Sequence, residues 1–453
     1  VARFAQATAI TVTSNIIRLL LGIITSVLIA RILGPEGKGV YTLATLLPSL
    51  ILIFANLGIG SATVYHVAQG RYPRPQILGN NILFAVGVFI LGITIGLIIT
   101  VYFHSTIFPG IARGYLLLAL ALIPGSLLFA YLQPIFLGTH RITQYNASAI
   151  LQDALLLILL AVTLGLVNGG VAGALIATAL TWLIVDVPLL LRVRRVAGGI
   201  SFRPNLSYIK QALAYGIQAH LGNILGFLSY RVDVFLVNGF LSPAAVGLYS
   251  IAVGLVERLW LISQAASIVL FPRVAAESDE KRRKELTPLV ARTVLLATGA
   301  GSLLLFVLSP WILELLYSSS FLPAVQPLQI LLPGIVALSV SRVLANDIAG
   351  RGRVMLNNYA VGITVAVNIA LNLLWIPEYG IVGAAWASTA SYGLTLLITV
   401  GMYCRLAGNP WTKVVLPQGG DWVLYRRTVM ALWQWTEAKI RILERKIWHN
   451  KPG

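Results

Sequence analysis

The stretch Leu33-Gly34-Pro35, followed by Gly39, Tyr41 and Ala44, returns 208 residues later as Leu241-Ser242-Pro243, followed by Gly247, Tyr249 and Ala252. Three further matches keep nearly the same spacing. Gly170-Val171-Ala172-Gly173-Ala174 reappears as Gly380-Ile381-Val382-Gly383-Ala384 at an offset of 210, and Pro124-Gly125 as Pro333-Gly334 at 209. Gly138, Arg141 and Asn146 correspond to Gly350, Arg353 and Asn358 at 212. Each Gly or Pro taken singly reads as a turn or a close helix contact. Their common offset reads as an internal duplication of a unit of about 200 residues.

What fills each unit follows from composition. Of the 453 residues, 58% are apolar and 11% charged, against about 25% charged in an average soluble domain. The mean hydropathy is +0.85. Such a chain cannot clothe a surface facing water, and at roughly 20 apolar residues per crossing it has room for about a dozen membrane helices. Apolar stretches fall at 9–30, 40–69, 77–103, 114–137, 146–167, 170–191, 213–238, 244–271, 287–308, 325–349, 355–376 and 381–404. The first holds Arg18 at its middle without a small-residue cleavage site, and reads as a retained helix.

The expected fold is therefore an all-α polytopic membrane protein of two six-helix pseudo-repeats. An even helix number makes both copies enter from the same side, so their axis runs along the membrane normal, the architecture of a rocking transporter with its site between the halves. The lobes are expected at 1–200 and 201–408, with a tail at 409–453.

The formal charge of +18 is read as topology before it is read as a partner. Of the 33 Lys and Arg, 25 fall in the amino terminus, the even-numbered loops and the tail. Three lie in odd-numbered loops (Arg31, Lys38, Arg113), and five lie within spans (Arg18, Arg231, Arg258, Arg292, Arg342). This bias places both termini in the cytoplasm and leaves no call for nucleic acid. In the tail, over about 421–449, Val429, Trp433, Ile440, Leu443 and Ile447 alternate with basic residues as in a helix lying on anionic lipid. A solvated basic tail is the alternative. The single Cys404 excludes an intrachain disulfide or thiolate cluster, and five scattered His suggest no metal site.

The stretch Arg31-Ile32-Leu33-Gly34-Pro35-Glu36-Gly37-Lys38-Gly39-Val40-Tyr41 resembles the first loop of the polysaccharide-biosynthesis family of Wzx-type oligosaccharide flippases. Arg231-Val232-Asp233-Val234-Phe235-Leu236-Val237-Asn238, followed by Val246-Gly247-Leu248-Tyr249, carries the same resemblance, which covers about 5–405 in span order and repeat. It implies the MATE-like, rocking-lobe fold of the multidrug/oligosaccharidyl-lipid/polysaccharide superfamily. The implied activity is movement of an undecaprenyl-pyrophosphate-linked oligosaccharide from the inner to the outer face of the bacterial cytoplasmic membrane. Membrane lipids surround such a protein; a polysaccharide polymerase and glycosyltransferases are further candidate partners, and no cofactor is implied.

That task suits the intramembrane residues. Sugar hydroxyls taken unpartnered into hydrocarbon cost several kcal/mol each, so a wet groove is required, open sideways for the lipid tail. The pyrophosphate needs cations, and Arg offers planar paired donors. An Arg at mid-membrane costs about 2.5 to 3.5 kcal/mol on insertion scales. Arg18 and Arg258 stand there and are candidates for substrate binding. Structural alternatives are backbone carbonyls for Arg18 and a carboxylate on another helix for Arg258. Arg231, Arg342 and the repeat-related Asn15 and Asn223 join the candidates; for the two Asn, helix-packing hydrogen bonds are the alternative. Asp233 and Glu257 are candidates for proton or sodium coupling, with an interhelical ion pair as the other reading of Asp233. Arg342, Asp347, Arg292, Asp153, Asp186 and His66 lie nearer the cytoplasmic ends, where snorkelling to the interface is the default reading, above all for Arg292, Asp186 and His66.

Outward passage of an anion is favoured by about 2.3 kcal/mol per charge per 100 mV, and no Gly, four residues, Gly-Lys-Ser/Thr nucleotide motif is present. A MATE-like multidrug or cation antiporter is the alternative function. A membrane glycan polymerase or ligase is disfavoured, because the longest external loop, Ser309 to Ala324, offers about 16 residues and no catalytic motif.

Overall fold

The computed structural model describes residues 2–277, 279–419, 421, 426 and 430; the amphipathic helix expected over 421–449 otherwise lies outside the described residues. Within them the chain is helical and has no strand. The amino-terminal half contains α1 (Ala2–Ala55), α2 (Ile59–Gln69), α3 (Arg74–Tyr102), α4 (His104–Ile107), α5 (Arg113–Leu120), α6 (Leu122–Leu132), α7 (Pro134–Gly138), α8 (Ile142–Leu160) and α9 (Gly170–Ala197). The second half contains α10 (Leu206–Phe240), α11 (Pro243–Val256), α12 (Trp260–Ala276), α13 (Glu280–Ile312), α14 (Val325–Gly350), α15 (Val354–Ala407) and α16 (Trp411–Val415).

Helix ends follow local chemistry. Asn205 accepts the Tyr208 amide at 3.0 Å to start α10, and Ser242 accepts the Ala245 amide at 3.2 Å to start α11, with Pro243 at its first turn. The helices α1 and α15 each bend through a glycine in left-handed backbone, Gly34 at φ 67° and Gly380 at φ 60°. The repeat partner of Gly380, Gly170, has the same handedness at φ 55°. Ser242, partner of Gly34, is extended at φ −159°, which explains why that copy needs no glycine.

Among the described residues, nine helical segments are long and apolar enough to cross a membrane, the longest of 48 and 54 residues holding the two glycine bends. Their exteriors carry Ile16, Leu20, Ile90, Leu91, Leu303 and Leu304, whereas Thr178, Thr181, Ser388, Ser391 and Thr399 are buried. Apolar outside and hydroxyls inside is the arrangement a lipid solvent demands.

The duplicated motifs meet each other. A Cβ on Gly39 would lie 1.7 Å from the Pro243 carbonyl oxygen, and one on Gly247 would lie 1.9 Å from that of Pro35. Each copy's glycine thus receives the backbone of the other copy's proline, a reciprocal contact across a pseudo-twofold axis. The largest core surrounds it, joining Leu43, Leu47 and Phe108 to Val246, Tyr249 and Leu328. Arg31 donates to the carbonyls of Leu316, at 2.8 Å, and Leu315; Asn238 donates to that of Pro109 at 3.3 Å. One end of the interface between the halves is sealed.

Helix α10 belongs to both halves. Tyr208 donates to Asn81 at 2.8 Å, the Tyr215 ring stacks on Tyr65 at 4.5 Å, and His220 Nε2 meets the Ile53 carbonyl. Farther along, Asp233 bonds to Tyr249 and Ser388 of the second half.

The snorkelling expected for His66, Asp186 and Arg292 is not observed: their exposures are 2%, 6% and 5%. These positions turn into the lobes. His66 sits among the rings of Tyr65, Tyr72 and Tyr208 at 5.2–5.5 Å. Asp186 lies beside the bare backbone of Gly125. Arg292 is held by Asp421 through Nε at 2.6 Å and Nη2 at 2.8 Å, and by the Lys413 carbonyl, partners supplied by the chain beyond α15.

Candidate functional site: the cleft between the halves

Below the sealed end lie three cavities that adjoin at shared wall residues: two between the halves, and a third walled by the second half alone, together called the cleft. The innermost, of about 250 Å³, is lined by Lys38, Thr42, Thr45 and Ser49 from α1 and by Arg231, Ser250 and Glu257. The middle part, of about 430 Å³, shares Gly254 and Glu257 with it and brings Asn15, Arg18 and Gly22 of α1 opposite Arg258, Trp260 and Gln264, with Asp153 of α8. The outermost, of about 670 Å³, shares Gln264 and adds Asn223, Ser267, Arg342, Asn346 and Asn357. The six residues expected to bind substrate, together with Glu257, therefore line these three adjoining cavities.

Their surroundings differ. Arg18 donates from Nε to Asp153 Oδ2 at 2.6 Å, a half-exposed pair between α1 and α8. Arg231 makes a two-pronged pair with Glu257 at 2.9 and 3.2 Å. Arg258, on the short 3-10 turn Glu257–Leu259, reaches across to α1, where a Cβ on Gly22 would lie 3.4 Å from both its terminal nitrogens. Among the described residues no carboxylate pairs with Arg258. The carboxylate thus belongs to Arg18 and open space to Arg258, the reverse of the structural alternatives the sequence suggested. Arg342 lies flat on Trp260, 4.0 Å from the ring, and donates to the Tyr230 hydroxyl at 3.1 Å.

Asp233 is 2% exposed and does not line the cleft. Its oxygens accept from Tyr249 at 2.6 Å, Ser388 at 3.3 Å and the Val234 amide at 2.8 Å, so hydrogen bonds stand where an ion pair was the structural alternative. Asn15 and Asn223 face different parts of the cleft and not each other.

The structure adds residues that sequence reasoning set aside. Lys38, placed in an external loop, is on the first turns after the Gly34 bend and points into the cleft. Pro35, a good first residue for a helix, was the available signal. The partnership of Asp153 with Arg18 has no local signal, the two being 135 residues apart.

The chain and its fold have known relatives. The family model described as "Polysaccharide biosynthesis protein" matches residues 28–326, more than half of the chain. The chain belongs to this family. The probable low-salt glycan biosynthesis flippase Agl15 of Haloferax volcanii is 24% identical over 380 residues, covering 82% of this chain and 77% of that one. The putative O-antigen transporter of Shigella flexneri is 24% identical over 407 residues, covering 83% and 92%. Among solved structures, the lipid II flippase MurJ in an inward closed conformation aligns with a TM-score of 0.75 at 15% identity, covering 89% of this chain and 88% of that one. An inward-facing MATE multidrug transporter of the MOP superfamily aligns at 0.71 and 15%, covering 86% and 94%. The polysaccharide-biosynthesis chain thus has the MATE-like fold of a multi-pass membrane transporter, and the relatives named are flippases and transporters, not enzymes.

Proposed function

We propose that the protein carries an undecaprenyl-pyrophosphate-linked oligosaccharide from the inner to the outer face of the bacterial cytoplasmic membrane, by alternating access of its halves, for cell-surface polysaccharide synthesis. The observation that carries this reading is the charge of the cleft. Among its described lining residues are five cations, Lys38, Arg18, Arg231, Arg258 and Arg342, against two carboxylates, Asp153 and Glu257. That excess suits an anionic cargo and opposes the cationic drugs of an antiporter. Counting α1 and α15 as two crossings each, and adding α10 to the remaining segments, gives twelve and returns both termini to one side, which the distribution of Lys and Arg makes cytoplasmic. The sealed end then faces outward and the largest part of the cleft faces the cytoplasm.

In this reading Arg258 and Lys38 hold the pyrophosphate in the inner two cavities, since they have no carboxylate to give up. The headgroup travels in the wet cleft while the polyprenyl tail stays in lipid, leaving between the amino half of α1 and α12. The opposite seam is held shut by Tyr65 on Tyr215. Glu257 is the carboxylate assigned to coupling, because a proton or sodium ion on it would release Arg231. Asp233, among hydroxyls inside the second half, is kept as a second cation-coupling candidate. Glycosyltransferases would build the cargo inside and a polymerase would extend it outside.

The test is a headgroup-accessibility assay in sealed proteoliposomes with lipid-linked glycans. Wild-type protein is expected to expose the glycan on the far face, and Arg258→Ala to abolish this with normal insertion and folding. Full flipping by both Arg258→Ala and Arg18→Ala, or wild-type transport of cationic drugs only, overturns the reading.

A further inference from the structure

The cleft is chemically divided, and the divider is Trp260. On one side the indole lines the part that holds Arg18, Arg258, Asp153 and Glu257. On the other it carries the Arg342 guanidinium on its face, at the edge of a part lined by Asn223, Gln264, Ser267, Asn346 and Asn357. This outer part contains four carboxamides and one hydroxyl around a single charge. Neither an acidic lining residue nor an ion pair to Arg342 is found there among the described residues.

Resting on the reading of the cargo as a lipid-linked glycan, we propose that this compartment is a sugar subsite, distinct from the pyrophosphate subsite, and that Arg342 makes it selective for a sugar bearing a carboxylate. Carboxamides both donate and accept, which is what ring hydroxyls require, and they do so without adding charge. Asn223 and Gln264 have no hydrogen bond to protein among the described residues and are exposed to the compartment, so their groups are free for a ligand. Asn346 and Asn357 instead spend their amide donors on Ser267 and on the Arg342 and Ala345 carbonyls, at 2.7, 2.7 and 2.8 Å, which fixes the wall. Arg342 is immobilised by Trp260 and by its bond to Tyr230, leaving its other N–H groups without a counter-ion. A rigid, unpaired guanidinium amid neutral amides binds a planar carboxylate better than a hydroxyl. The subsites share only Gln264, so a headgroup with its pyrophosphate at Arg258 places its sugars past Trp260 toward Arg342.

The experiment uses the full chain in lipid nanodiscs and measures binding of three soluble probes: inorganic pyrophosphate, a disaccharide ending in glucuronic acid, and its counterpart ending in glucose. The acidic disaccharide is expected to bind at least about tenfold tighter than the neutral one. Arg342→Gln is expected to erase that ratio, Arg342→Lys to keep part of it, and both to leave pyrophosphate affinity within about twofold. Asn223→Ala, at an exposed position without protein bonds, should weaken both disaccharides equally. Equal affinity of the two disaccharides for wild type, or a preference that survives Arg342→Gln, overturns the inference. So does full displacement of the acidic disaccharide by pyrophosphate at one shared site. Failure of wild type to bind pyrophosphate, with the acidic preference intact, would instead count against the pyrophosphate cargo while leaving the sugar subsite standing.

Discussion

Substituting Gly39 by Ala tests how the cleft is sealed. The added Cβ would stand 1.7 Å from the Pro243 carbonyl oxygen, where real contacts essentially never fall below 3.0 Å, and that oxygen belongs to a helix backbone that cannot swing aside. The two halves must therefore separate by more than an ångström at the contact. Overpacking of this size costs about 1 to 3 kcal/mol. Because the contact exists only while this end is closed, the cost falls on the closed state and shifts the equilibrium toward the opposite one by about 5- to 150-fold. The readout is labelling of Thr42→Cys, which lines the innermost part of the cleft, by a membrane-impermeant maleimide applied from outside. Cys404, the only native cysteine, is first replaced by Ser. Gly39→Ala and Gly247→Ala, whose Cβ would meet Pro35 O at 1.9 Å, should each accelerate labelling, and Gly87→Ala, with nothing within 4 Å, should not. Unchanged labelling in both of the first two, or an equal rise in the third, would refute the claim that the repeated prolines and glycines form the seal.

Other outcomes follow from the ion pairs. Arg18→Ala should abolish flipping while Arg18→Lys retains part of it; a double-mutant cycle of Arg18 with Asp153 on thermal stability should give a coupling of only about 0.2 to 1 kcal/mol, because the pair is half-exposed. Glu257→Gln should flatten the pH or sodium dependence of transport by freeing Arg231, as measured by initial flipping rates across pH; an unchanged profile rejects its coupling role. Asp421, beyond the last span, has its carboxyl held below the usual carboxylate range by the Arg292 guanidinium, against a smaller opposing effect of burial. A depressed carboxylate pKa adds stability that is present above its unfolded value, near 4, and is lost as pH falls through the lower folded value. Detergent melting curves should thus show an acid loss in wild type that Asp421→Asn removes, at a cost of about 3 to 5 kcal/mol at neutral pH if the buried Arg292 is left unpaired.

The halves, their order and the membrane setting were legible because they are written in periodicity and in repetition at one offset. Gly39 and Gly247 stood out as markers of that repetition, although nothing local says that each receives the other's proline. Faces were harder to read. Hydropathy reports how apolar a helix is and not which way one polar side chain turns, so His66, Asp186 and Arg292 were assigned to the interface while the structure buries them inside a lobe. Lys38 was missed for a related reason: a Gly-Pro pair resembles a loop, yet here it is a bend after which the helix resumes at once. Pairings such as Arg18 with Asp153, or Arg292 with Asp421, join positions more than 120 residues apart and exist only once the helices are packed.

The mixture of paired and unpaired cations suits what the proposed flippase would have to do in each cycle. It must bind an anion strongly enough to draw it from water, and it must then return empty. A cleft of five bare cations would meet the first need and fail the second, since closing around uncompensated charge in a low-dielectric space is costly. On the proposed function, Asp153 and Glu257 are internal stand-ins for the cargo. They hold Arg18 and Arg231 at 2.6 and 2.9 Å, and Arg342 lies on the Trp260 ring. Among the described residues Arg258 and Lys38 have no carboxylate partner in the inner two cavities and are the cations offered there to the phosphates. As the cargo settles, its phosphate oxygens can replace the carboxylates one pair at a time, so Arg18 and Arg231 exchange one anionic partner for another. Asp153→Asn should accordingly strengthen binding of pyrophosphate to the resting protein while slowing turnover, measured as tighter equilibrium binding together with a lower steady-state flipping rate. Weaker binding with unchanged turnover would show that the carboxylate serves the cargo directly and does not stand in for it.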